Sequence, residues 1–310
     1  MIIDVHYHFD STQVDTAGIQ MRAKGLEDSY AANCRVGAPV TAGQIAARLP
    51  ALLNDANGDK LVRRMDEIGI DVTVGCVVDS VTRFADADTA MAANRACADW
   101  AARHPGRLIA FCGVDPRREN APELLRRCIR DYGMRGLKWH CDLGFYPTSP
   151  EAYAVLKVAE EEGIILLTHT GPLPPPYRSK YVHPALLDDV CQDFPGLKVI
   201  AAHMGRNWWR DWAGLAQYRR NLFGDLAMWQ LIAVTNYPHF CRELRSILDW
   251  CGPEAVMLGT DGPGFEAMVS NATFIQILKN LPKEAPNGIR FSEEEVEAML
   301  GANAQRVLGL

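Results

Sequence analysis

The sequence predicts an α/β fold, a single (β/α)8 TIM barrel over residues 1–310. Three observations carry that reading. Eight short apolar runs alternate with helical segments, the pattern of parallel strands joined by right-handed crossovers. Polar residues close at least five of the runs, and strand ends converge on one place in a closed barrel but spread along an open sheet. No glycine-rich dinucleotide or P-loop fingerprint follows any run, which removes the usual nucleotide-binding alternatives.

The first run is Met1 to His8. Residues 10–50 follow as a polar stretch with no clear period and read as an insertion at the barrel mouth. Residues 57–69 (NGDKLVRRMDEIG) form an amphipathic helix with Leu61, Met65 and Ile68 on one face. The remaining runs are VTVGCVV from Val72, LIAFCGVDP from Leu108, GLKWHC from Gly136, IILLTHTG from Ile164, KVIAAHMG from Lys198, NLFGDLA from Asn221 and VMLGTDGP from Val256. Helical segments separate them, and SEEEVEAMLGANAQRVLGL closes the chain.

Composition sets the outer bounds. With 48% hydrophobic and 23% charged residues, a 310-residue chain can bury a large core without disulfides. A net charge of −6 speaks against a nucleic-acid partner. The nine cysteines form no C-x-x-C pair and read as reduced core thiols of a cytoplasmic protein. The N-terminus lacks the basic and apolar regions of a signal peptide, and no apolar stretch is long enough for a membrane span.

His6 and His8 lie two apart on the first strand, so alternation puts both on one face, with Asp4 one step deeper. Two imidazoles at a strand end are half of a metal site. His169 closes IILLTH, His203 closes VIAAH and Asp261 closes VMLGTD, each with a glycine within two positions. Any one of them alone reads as a hydrogen-bonded core residue; several strands ending this way point to a site.

In combination these motifs resemble the amidohydrolase superfamily, within it the amidohydrolase-2 branch of aminocarboxymuconate semialdehyde decarboxylase, resorcylate-type decarboxylases and metal-dependent lactonases and hydrolases. The resemblance rests on DVHYH, GLKWH, LLTHTG, HPALLDDVCQDFPGLKVIAAHMG, MLGTDGP and GANAQRVLGL. It implies one barrel with a metal at its C-terminal face, His6, His8, His169 and Asp261 as ligands, Asp261 as a proton carrier, and His203 as the residue that activates water or polarises substrate. Zn2+ is the expected metal and Mn2+ the alternative, since both accept nitrogen and oxygen ligands.

The remaining assignments are finer. Asp4 is expected to orient a ligand histidine. Lys138 is read as a free ammonium for a substrate carboxylate, the alternative being a carboxylated lysine that bridges two metals. His140 lines the pocket or caps its strand. Arg178, Lys180 and Arg206 lie in mouth loops, and Arg178 and Arg206 join Lys138 and His140 as expected contacts of an anionic small molecule. Trp208, Trp209 and Trp212 floor a ring pocket, meet a partner subunit in a homo-oligomer, or pack on the outer helices. GPLPPPY from Gly171 reads as a stiff active-site loop. The expected activity is hydrolysis of a small carboxylate-bearing ester, lactone or amide by metal-activated water. The alternative is non-oxidative decarboxylation of an aromatic or unsaturated acid.

Overall fold

The structure is a computed structural model that describes residues 1–9, 14–28, 40–173, 175 and 177–310. Eight parallel strands follow in chain order: β1 (Ile3–His8), β2 (Val72–Cys76), β3 (Leu108–Gly113), β4 (Gly136–Trp139), β5 (Ile165–His169), β6 (Lys198–Ala202), β7 (Leu222–Asp225) and β8 (Val256–Met257). Each falls inside a predicted run. Backbone hydrogen bonds bring β1 against the segment after β8: Val5 N donates to the Leu258 carbonyl at 3.0 Å and Asp261 N to that of His6 at 2.8 Å.

Two layers of core follow from alternation. Ile3, Val5, Val72, Val74, Phe111, Ile165, Leu167, Ile200 and Met257 pack inside the barrel, where Ala304, Val307 and Leu308 of the last helix join them. The outward residues pack beneath the helices. Gly136 is the interior position that admits Phe111, because a Cβ there would come within 2.5 Å of the Phe111 ring. Gly136→Ala should therefore cost about 1–3 kcal/mol by overpacking, read as a lower urea midpoint at unchanged slope.

One strand departs from simple alternation. The register of β1 against β2 shifts between Asp4 and Tyr7. This bulge lets Ile3 and Val5 face the interior together with His6 and His8, while Tyr7 joins the outer core. Asp4 is thereby taken off the histidine face. Its carboxylate accepts from Thr260 N at 3.0 Å, Thr260 Oγ1 at 2.6 Å and His6 N at 3.1 Å, so it braces β1 on the end of β8 and orients no imidazole ring. A bulge re-aims side chains next to a site in this way.

The helices predicted between runs are present: α3 (Asp59–Ile68), α4 (Ala87–Ala102), α5 (Ala121–Arg130), α6 (Pro150–Glu161), α7 (Leu186–Asp193), α8 (Trp209–Ala216) and α10 (Tyr237–Cys251), closed by α13 (Glu293–Glu297) and α14 (Asn303–Leu308). Others were not anticipated. The stretch read as aperiodic contains α1 (Thr16–Leu26) and α2 (Ala42–Leu52), and α9 (Gln230–Thr235), α11 (Gly264–Met268) and α12 (Asn271–Glu284) lie farther on. Ile45, Ala46, Leu49 and Leu52 of α2 do sit on one helical face, but Pro50 within the helix masks the pattern. Helices α1 and α2 pack with Met228, Leu231, Phe265 and Met268, and Arg48 of α2 donates to the carbonyls of Ala267 and Met268 at 3.0 Å each. Residues 10–13 and 29–39 of the proposed insertion lie outside the described residues. Among the described residues no helix is long and apolar enough to cross a membrane.

Candidate metal centre and cavity

His6, His8, Lys138, His140, His169, His203 and Asp261 gather at one end of the barrel. His6 Nε2 lies 3.3 Å from His8 Nε2, and Asp261 Oδ1 is 2.9 Å from His8 Nε2 and 3.7 Å from His6 Nε2. Lys138 Nζ donates to His6 Nε2 at 2.8 Å. His169 Nδ1 and His203 Nε2 are 3.1 Å apart. The ring of His140 stacks on that of His169 at a centroid distance of 4.9 Å. Ligand atoms of His6, His8 and Cys76, and separately of His6, His203 and Asp225, lie within 4.8 Å of one another; of the expected set, His6, His8 and Asp261 lie within 3.7 Å of one another, and His169 joins them through the ring of His203. Asp225 is already engaged by protein N–H groups, which makes it an orienting carboxylate.

Hydrogen-bond logic fixes which ring nitrogens are free. A carbonyl only accepts, so His203 Nδ1 donates to the Ala227 carbonyl at 3.1 Å and His169 Nε2 to that of Gly171 at 3.1 Å. Burial holds both imidazoles neutral, His169 down at about 3 and His203 well below its usual range. The two nitrogens that face each other, His203 Nε2 and His169 Nδ1, are then both lone pairs. His6 Nδ1 is 3.0 Å from Asp225 Oδ2, and a carboxylate takes the proton-bearing face, so His6 Nε2 is a lone pair as well. Burial first, and Lys138 second, push His6 down to about 4. Burial alone would raise the Asp261 carboxyl, but His6 and His8 hold it well below its usual range. The lone pairs of His6 and His169 and the ionised Asp261 carboxylate, with His8 Nε2 2.9 Å from that carboxylate, are a donor set that fits a divalent cation.

Above this floor lies a cavity of about 590 Å³. His8, His140, His169 and Asp261 line its base; Phe9, Leu26, Leu49, Leu53, Met228 and Phe265 are apolar wall residues, and Arg22, Arg83 and Tyr177 also line it. His140 therefore lines the pocket. Its Nδ1 is 3.2 Å from Asp142 Oδ1. Burial works against the Asp142 charge, but His140 beside it holds the carboxyl down at about 2. A carboxyl depressed on folding stabilises above its unfolded value near 4 and loses that contribution as pH falls toward 2. Metal-free protein should show this acid loss in urea titrations, and Asp142→Asn should reduce it.

Arg178 and Arg206 do not line the cavity. Arg178 is exposed, its backbone N–H tied to the Asp142 carbonyl at 3.1 Å, and Arg206 sits in a left-handed turn after β6. Among the described residues, the cations lining the cavity are Arg22 of α1 and Arg83 after β2, which no motif marks. Trp209 and Trp212 are buried in the outer core, donating to Glu243 and to the Phe223 carbonyl respectively, which is the packing reading of the tryptophan cluster. Leu173 and Tyr177 of the proline-rich loop reach the cavity, while Pro174 and Pro176 lie outside the described residues. Eight cysteines are buried and unbridged among the described residues.

The model of the Amidohydrolase family matches residues 3–310. The chain belongs to the amidohydrolase family. Solved structures similar to this amidohydrolase share its barrel. A 5-carboxyvanillate decarboxylase from Sphingomonas paucimobilis is 19% identical with a TM-score of 0.65, covering 100% of this chain and 99% of its own. A dihydroxybenzoic acid decarboxylase from Polaromonas, solved with bound manganese and the inhibitor 2-nitroresorcinol, is 18% identical with a TM-score of 0.65, covering 100% and 97%. An uncharacterized TIM-barrel protein from Bordetella bronchiseptica is 18% identical with a TM-score of 0.70, covering 99% and 98%. A search of curated proteins finds no match. The residue of this amidohydrolase that sequence reasoning missed at the floor is Asp225, although NLFGDLA, like VMLGTDGP, carries a Gly followed closely by Asp after its apolar residues.

Proposed function

We propose that this amidohydrolase is a metal-dependent non-oxidative decarboxylase of an aromatic carboxylic acid. The observation that carries the proposal is the cavity: mostly apolar side walls, large enough for one substituted ring, over a base of histidines and one ionised carboxylate, with Arg22 and Arg83 among its lining. Such a cavity suits a flat anion. Two similar barrels are named for decarboxylation of aromatic acids, which supports this reading over hydrolysis. Chain length does not separate the two, because the match covers 97–99% of those chains.

His6, His8, His169 and Asp261 would hold the cation, Zn2+ or Mn2+, with manganese favoured by the Polaromonas structure. When bound, the ion supplies Lewis-acid charge stabilisation for the substrate oxygens. The protein's own residues do the rest. The apolar walls orient the ring and exclude water. Asp261, ionised, 12% exposed and 2.9 Å from His8, would first accept the proton of a phenolic hydroxyl of the substrate and then pass it to the ring carbon, the phenolate regaining a proton from solvent as product leaves. The bond from that carbon to the carboxylate then breaks, its electron pair returns to the ring, and CO2 leaves. His203 is buried, turned toward His169, and does not line the cavity, so its part is to hold the floor. Lys138, at 1% exposure, acts on His6 at the floor and reaches a substrate carboxylate only through that position.

Hydrolysis is the second reading. The family description favours it, and the Asp261–His8 pair could equally accept a proton from water. Metal-loaded protein incubated with 2,6-dihydroxybenzoate and 5-carboxyvanillate, beside an ester, lactone and amide panel, separates the two. CO2 release without hydrolysis supports the proposal; hydrolysis without CO2 overturns it.

A further inference from the structure

Asp225 ends β7 with its side chain wholly buried, and it serves two strands at once. Oδ2 takes the Nδ1 proton of His6 on β1 at 3.0 Å. Oδ1 accepts the backbone N–H of His203, immediately after β6, at 2.9 Å and that of Ala227 at 3.0 Å. His203 needs such support. It and the next three residues all have positive φ, at 67°, 50°, 76° and 51°, and only one of the four is glycine. Backbone in this region persists only where its surroundings over-determine it. The segment after β7 supplies further holds: the Ala227 carbonyl on His203 Nδ1 at 3.1 Å and Trp229 Nε1 on the His203 carbonyl at 3.0 Å.

We propose that Asp225 is a shared positioning residue: one buried carboxylate sets the tautomer of His6 and the backbone placement of His203 together. His6 and His203 are then not independent parts of the floor. Metal binding at His6 Nε2 and the contact between His203 and His169 depend on the same side chain.

Two substitutions separate its arms. In Asp225→Asn the amide oxygen can keep both backbone N–H bonds, but its NH2 opposes His6 Nδ1–H, so the His6 proton moves to Nε2 and the lone pair facing the site is lost. Metal affinity should fall on the order of 10–100-fold, with a smaller loss of kcat at saturating metal than in Asp225→Ala. Asp225→Ala removes both arms, and kcat at saturating metal should fall at least about tenfold as well. Unchanged metal affinity in Asp225→Asn overturns the His6 arm. Equal kcat for the two variants at saturating metal overturns the His203 arm. Should Asp225→Ala not fold, the wild type still decides: its proton spectrum should show a far-downfield imidazole resonance, lost in His6→Gln and in Asp225→Asn, and its absence from wild type overturns the proposal. The kcat readout rests on the decarboxylase reading, whereas metal affinity and the proton resonance do not. A wild type that binds metal, shows the resonance and releases no CO2 therefore refutes that reading alone.

Discussion

Asp261→Asn will lower turnover at least about a thousandfold while leaving a folded barrel, within the range that a positioned acid–base group contributes. Asn is the informative replacement because Asp261 has φ 53°, a left-handed conformation that Asn tolerates and most side chains do not. The backbone, and the bond from Asp261 N to the His6 carbonyl at 2.8 Å, can then survive. What goes is the charge that faces His8 at 2.9 Å and the one carboxylate among the described residues lining the cavity. Circular dichroism establishes folding, and CO2 release per mole of bound metal measures the loss. An Asp261→Asn enzyme within tenfold of wild type would remove Asp261 from proton transfer.

Chelation has the second large effect. Protein stripped of metal should release no CO2, and activity should return on titration with Mn2+ or Zn2+, reaching its plateau at one equivalent. The stoichiometry also decides the state of Lys138. Its Nζ stands 2.8 Å from His6 Nε2, where a free ammonium donates to the His6 lone pair. One equivalent by plasma mass spectrometry, absent from His6→Ala, supports a single ion beside an uncarboxylated Lys138. Two equivalents would require a carboxylated, bridging lysine and would return weight to hydrolysis. Activity that survives complete removal of metal would sink the metal-dependent reading altogether.

All eight strands were legible in the sequence because a parallel strand buried on both faces is a short apolar run whatever surrounds it, and because His8, His140, His169, His203 and Asp261 at run ends break that apolarity visibly. The helices that were missed show the limit of periodicity. Pro50 hid α2, α9 and α11 are too short to display a period, and α12 carries a helical stripe of Phe274, Ile275, Leu278 and Leu281 that no neighbouring strand run marked out. Asp4 failed for a different reason. Strict alternation placed it beside His6, and the bulge in β1 broke that alternation within two residues.

The sequence by itself determined the barrel and the placement of His6, His8, His169, His203 and Asp261 together at one end of it, since each is tied to a strand end whose direction follows from local pattern. Only the tertiary structure decided which ring nitrogens are free, that Asp225 rather than Asp4 orients His6, and that Arg22 and Arg83 rather than Arg178 and Arg206 line the cavity. Those features depend on contacts between strands and loops far apart in the chain, such as the 219 positions between His6 and Asp225. No local spacing encodes where a mouth loop turns its cation or which carboxylate meets which ring.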